Sequence, residues 1–221
     1  TKNKMTIKEF EKEQSKLLQN AEVRAAWLAY ESRFPHLSQW FRAAPEFKYQ
    51  SAVVGGKKTG SDINLYKLFV ERSFHLLRAG GHCGIVIPSG IYTDLGAKGL
   101  RDLLFGHTQI EGLFCFENRK TIFEGVDSRF KFVVLTFEKA AAARLQAAGE
   151  RNASAPPDDL LAAQAAEAQG KATGTTRFPA AFMRHDVEEL ARFPDEGALW
   201  LEVELIKRLS PDSHSVMEFK S

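Results

Sequence analysis

One short run of residues constrains this chain more than any other: Cys83-Gly84-Ile85-Val86-Ile87-Pro88, set between Gly80-Gly81 and Ser89-Gly90. It is β-branched, does not alternate apolar with polar, and is too short for a helix. Such a run predicts a strand covered on both faces in a mostly parallel sheet. Its neighbours continue the pattern. Upstream, Ser61 or Asp62 caps a predicted helix carrying Leu65, Leu68, Phe69 and Phe74, with apolar residues on two faces, which Gly80-Gly81 would end. Downstream come a helix over 97–105 closed by Gly106, then strands over 110–116 and 130–137, joined by a polar connection over 117–129. Helix, strand, helix, strand, strand is the second half of a doubly wound, Rossmann-like α/β domain.

The flanks read differently. Thr6 and Glu9 make a capping box, and the helix they open is predicted to run past Trp27 and Leu28 until Phe34-Pro35 stops it. Residues 37–47 are a second helix or an irregular stretch, and 55–60 are loop, so 1–60 reads as a helical appendage. Over 140–176 the composition falls to Ala, Gly, Ser, Pro, Gln and charge. This is read as a surface insertion or linker, with a short Ala-rich helix after Asp158 or Asp159. The exit, 177–221, offers a strand over 178–183 and an amphipathic helix carrying Leu199, Trp200, Val203, Ile206 and Leu209.

Composition narrows the function classes. With 30 basic and 28 acidic residues the net charge is +2, which excludes a polyanion-coating protein. Two cysteines, Cys83 and Cys115, are too few for a disulfide framework or a structural zinc site. Both fall on predicted strands, as small core residues would, and a cytoplasmic setting is expected. The apolar runs are too short to span a bilayer. The six histidines are dispersed, so no metal site is expected. Lys57-Lys58 within the Gly55–Gly60 loop fails the phosphate-loop template and reads as a solvated basic loop. Ser89 lacks the Gly-x-Ser-x-Gly frame, so hydrolase chemistry has no support. The chain opens on Thr, with its first Met at position 5, which fits a piece of a longer protein.

The order and spacing of several motifs carry a resemblance. Ser61-Asp62-Ile63-Asn64-Leu65-Tyr66, Leu76-Leu77-Arg78-Ala79-Gly80-Gly81, Gly84-Ile85-Val86-Ile87-Pro88-Ser89-Gly90-Ile91, Phe116-Glu117-Asn118-Arg119 and Ile122-Phe123-Glu124-Gly125-Val126-Asp127-Ser128-Arg129-Phe130-Lys131-Phe132 resemble the adenine-specific DNA methyltransferases of single-chain restriction-modification enzymes and BREX-type phage defence. The resemblance covers residues 61–138 and, more weakly, Leu209–Ser213. It implies a partial doubly wound methyltransferase sheet with an N-terminal helical insertion, S-adenosylmethionine as cofactor and double-stranded DNA as partner. It also implies that the family's cofactor glycine loop and Asn-Pro-Pro-aromatic motif, absent here, lie upstream, with the first sixty residues inserted after the latter.

Residue roles come from the same resemblance. Leu65 and Phe69 match positions lining the adenine end of the cofactor pocket; as an i, i+4 pair they read equally as ordinary core. Phe123 matches the aromatic that stacks on the flipped adenine. An extruded base needs a π-face to replace its neighbours, although a Phe in a polar connection also reads as a loop anchor. Arg119, Lys120, Arg129 and Lys131 suit phosphate contacts or, given Glu117, Glu124 and Asp127, a salt-bridged face. Pro88, at the carboxyl end of its strand, is a ligand-lining position or a plain turn.

Two functions are therefore carried forward. One is part of an adenine methyltransferase, binding the cofactor weakly or not at all by itself, with an uncovered sheet edge that a homodimer or another covering, such as the chain's own ends, would close. The other is a non-catalytic DNA- or partner-binding module with methyltransferase-like topology.

Overall fold

The computed structural model describes residues 5–54, 56–58, 62–140 and 174–219. Contacts divide the chain into two compact units, Thr1–Ala44 and Pro45–Ser221, a division earlier than the boundary at residue 60 expected from composition.

The first unit is three helices, α1 (Ile7–Leu17), α2 (Ala21–Glu31) and α3 (Arg33–Ala43). The Thr6/Glu9 capping box forms as read. The single long helix does not. Asn20 interrupts it, its side chain accepting from the backbone N–H groups of Glu22 and Val23 at 2.9 and 3.2 Å, so an N-cap sits where continuous periodicity was expected. Pro35 stops nothing; it lies in the first turn of α3, where a missing N–H costs no helical hydrogen bond. No residue of these helices is buried.

The second unit begins with a hairpin, β1 (Val53–Val54) and β2 (Lys57–Lys58), turning at Gly56 with φ +77°. Part of the expected 55–60 loop is thus paired backbone; Gly55, Thr59, Gly60 and Ser61 lie outside the described residues. Next is α4 (Leu65–Leu76), capped by Asn64 rather than by Ser61 or Asp62, because the Asn64 side chain accepts from Tyr66 N–H at 3.3 Å. The helix ends at Leu77, and Gly80, at φ +69°, makes the turn into the first strand of the main sheet.

That sheet has five strands: β3 (His82–Pro88), β4 (Thr108–Glu117), β5 (Lys131–Lys139), β6 (Arg177–Arg184) and β7 (Leu199–Glu202), in the order β3-β5-β4-β6-β7. Between β3 and β4 lie α5 (Gly90–Thr93) and α6 (Lys98–His107); α7 (Val203–Leu209) follows β7. The architecture is mixed α/β, as expected of a methyltransferase-like sheet. Two expectations are corrected. The sheet here is not mostly parallel: β3–β5, β5–β4 and β6–β7 are antiparallel and only β4–β6 is parallel. Residues 199–209 are not one helix either. Leu199 and Leu201 alternate toward the core and pair with Ala180 and Phe178 before the chain turns helical.

Alternation along the strands separates two cores. Leu113, Cys115, Val133, Leu135 and Phe137 face α4, α5 and α6 in the larger one. Phe114, Phe116 and Ala181 point to the other face, against Phe132, Val134, Leu190 and Phe193. Gly112 lies at a β-bulge in β4, and a methyl there would come within 2.8 Å of the Phe193 ring. The expected Ala-rich helix after Asp158 or Asp159 lies outside the described residues, which resume at Gly174. Thr175 ties the chain back to the sheet, its hydroxyl donating to Thr108 O and accepting from Ile110 N–H.

The last described residues form a strap. Buried Arg101 donates to Ser213 O, Ile91 O and Asp94 O at 2.7–3.1 Å. His214 Nδ1 lies 2.5 Å from Asp102, and Val216 N–H donates to Tyr92 O.

Candidate functional site

Glu117 and Lys131 end and begin the strands that flank the 118–130 connection, and Asn118 shapes it. This side chain is fully buried, donates to Phe123 O and Val126 O at 3.0 and 2.9 Å, and accepts from Phe123 N–H at 2.9 Å. Thr121 and Gly125 take positive φ to close the turns. The Asn118 amide thus fixes the loop backbone at Phe123 and Val126. The ring meets Phe132 edge-on at 4.7 Å, Phe132 stacks on Phe116 at 5.2 Å, and Phe123 stays 44% exposed. The Phe123 ring is thus partly packed and partly open to solvent. Pro88 is exposed at the end of β3, directly opposite Phe132 in the register. Pro88, Phe116, Phe123 and Phe132 thus form one patch at the ends of three adjacent strands.

The four basic positions all have acidic partners. Arg119 Nε donates to Glu117 at 2.6 Å, Lys120 pairs with Asp186, Arg129 binds Asp127 in two bonds of 3.0 and 2.8 Å, and Lys131 pairs with Glu218 and lies 3.9 Å from Glu117. The electrostatics follow. Glu117 is held below the usual carboxylate range by His185 and then by Arg119, against a smaller opposing effect of burial. Asp127 is lowered, and Arg129 raised, by their mutual pairing. Burial pulls Lys131 down, but Glu218, with smaller help from Cys115 and Glu117, leaves the ammonium raised. The structure thus has the salt-bridged face, which leaves phosphate contact to require exchange of partners.

Leu65 and Phe69 are 70% and 61% exposed on α4, one turn apart, while Val70 and Phe74 of the same helix are buried. The core reading of the pair is corrected: they form an open apolar wall. It lies on the helix packed against the face of the sheet opposite Phe132, so the fold does not bring it onto the Phe123 patch. Cys115 is buried, its Sγ 2.8 Å from Tyr92 Oη, and burial raises its thiol; Cys83 is only partly covered on the edge strand.

Sequence reasoning missed Asn118, His185, Glu218 and Tyr92. His185 Nε2 lies 3.0 Å from Glu117, and Tyr92 donates to Glu218 at 2.8 Å. Only Asn118 had a local signal, an Asn at a strand end entering a polar loop. The His185–Glu117 and Tyr92–Glu218 contacts join residues 68 and 126 positions apart. Arg119, Met183, Arg184, His185 and Glu189 line a polar hollow of about 520 Å³ beside Glu117. Contrary to the expectation of no ligand cluster, pairing of the strands also gathers His82, Glu111 and Glu138.

Residues 37–123 match the Eco57I restriction-modification methylase family. The chain therefore carries a restriction-modification-methylase-like segment, short of half its length, that includes Leu65, Phe69, Pro88, Arg119, Lys120 and, as its last residue, Phe123. No curated protein matches the chain. Among solved structures, a chain described under "Structural basis underlying complex assembly and conformational transition of the type I R-M system" is similar at 16% identity and a TM-score of 0.41. The match covers 73% of the present chain and 34% of that one, so this chain spans about a third of its length. Among the described residues, no helix is long and apolar enough to cross a membrane.

Proposed function

We propose that the chain is part of an S-adenosylmethionine-dependent DNA adenine N6-methyltransferase of a restriction-modification or phage-defence system. The observation that carries this reading is Phe123. Its ring is 44% exposed, meets Phe132 edge-on, and is carried near the strand ends by a loop whose backbone Asn118 holds. A flipped adenine loses its stacking neighbours, and a preset aromatic face restores one of them without ordering cost at the moment of binding. Pro88 borders the same patch. The Leu65–Phe69 wall offers apolar contact to the adenine end of the cofactor, which when bound supplies the electrophilic methyl group. Upstream residues of the enzyme would supply the rest of the pocket and the acceptor for the target amine. Catalysis on this reading is positioning: the chain's own residues hold the base in plane and in line, and form no covalent bond.

The test is Phe123→Ala in the full-length enzyme, with base extrusion followed by 2-aminopurine fluorescence at the target position. Loss of the platform should weaken the flipped state by about 1–3 kcal/mol, and Phe123→Trp should restore it. Unchanged methylation kinetics in a correctly folded Phe123→Ala enzyme would remove Phe123 from the site.

A further inference from the structure

Three ionisable residues, remote in sequence and outside the patch just described, converge near the β3 edge of the sheet. His82 opens β3 and stands opposite Glu138 of β5 in the register. Glu111 is the bulge residue of β4, where pairing jumps from Ile110/Phe137 to Gly112/Thr136 and leaves Glu111 without a Cα partner. A bulge of this kind re-aims a side chain. His82 Nδ1 lies 2.9 Å from Glu111 Oε1, and one ligand atom from each of the three residues falls within 4.8 Å of the other two.

The chemistry of this set is specific. Two carboxylates this close repel unless a positive charge lies between them. A divalent ion among the three ligand atoms would neutralise both carboxylates. One imidazole nitrogen with two carboxylate oxygens suits first-row ions of the zinc and copper type; calcium and magnesium prefer all-oxygen sites with more ligands. The ligands stand on three hydrogen-bonded strands, so their spacing is set by the sheet rather than by loops. His82 and Glu111 are exposed, which leaves water free to complete the coordination.

We propose that His82, Glu111 and Glu138 form a binding site for a first-row divalent transition-metal ion, with Zn²⁺ as its probe. The bound ion ties the edge strand β3 to β5 and β4. The site is independent of the methyltransferase reading, and its test needs no activity.

Zn²⁺ is titrated calorimetrically into the 221-residue chain at neutral pH, alongside His82→Ala and Glu138→Gln variants whose folding is checked by circular dichroism. The expected result is one saturable site in the parent chain, weakened by more than about tenfold in each variant, since loss even of outer-shell partners costs that much. Cu²⁺ at the same site should show hyperfine coupling to a single nitrogen that His82→Ala abolishes. His36→Ala, outside the cluster, should leave both signals unchanged. A parent chain with no saturable site, or variants that bind within about threefold of it, would overturn the proposal.

Discussion

Arg101 shows what one buried cation does in this fold. Burial lowers it to about 10, still well above neutrality, so a full charge stays inside and is satisfied by carbonyl oxygens of three residues. Arg101→Met strands those acceptors and frees the strap; the expected loss is roughly 2–4 kcal/mol in urea unfolding, with faster hydrogen exchange at the Val216 amide. Glu117 gives a pH signature. Its folded value lies below the ordinary 4.5, so its contribution is complete above that pH and is lost as pH falls through the folded value. Urea midpoints of Glu117→Gln should accordingly fall less steeply on acidification than those of the parent chain. At this scale the sequence was only half legible. Phe123 was picked out by the family resemblance, which an aromatic in a polar connection fits. Glu218, His185 and the His82–Glu111–Glu138 cluster gave no local sign, because strand register and the returning strap make those contacts.

Elements were read best where their evidence is local. The strands over 108–117, 131–139 and 177–184 were seen within one or two residues of their bounds, since alternation and apolar runs need no partner to be recognised. Direction was not legible. The Cys83–Pro88 run looks parallel because it is uniformly apolar, yet its partner β5, some fifty residues later, runs antiparallel to it. As an edge strand, β3 has alternate amides directed away from β5. Hydrogen exchange across β3 should therefore alternate between slow and fast in the monomer, and the fast set should slow if a second copy covers the edge; sedimentation velocity reports whether it does. Close approach offers a second check. A methyl on Gly99 would come within 2.7 Å of Tyr49 O, backbone that cannot swing aside. Gly99→Ala should cost about 1–3 kcal/mol, seen as a lowered thermal midpoint.

For the whole molecule, the methyltransferase reading makes a negative forecast. A wall of Leu65 and Phe69 that is mostly open to water has too little enclosure to hold a cofactor alone. Calorimetry of the 221-residue chain with S-adenosylmethionine should show no micromolar binding, and micromolar affinity would show that the pocket is complete without upstream residues. The helices of Thr1–Ala44 carry a separate consequence. These are eleven-residue segments without an interior, two of them capped by a side chain and the third not, and helices of that length are marginal in water. Heating the chain should thus not release one sharp signal. Ellipticity from the leading helices should drain away gradually over a broad span of temperature, while the sheet, cored on both faces, lets go in a single step.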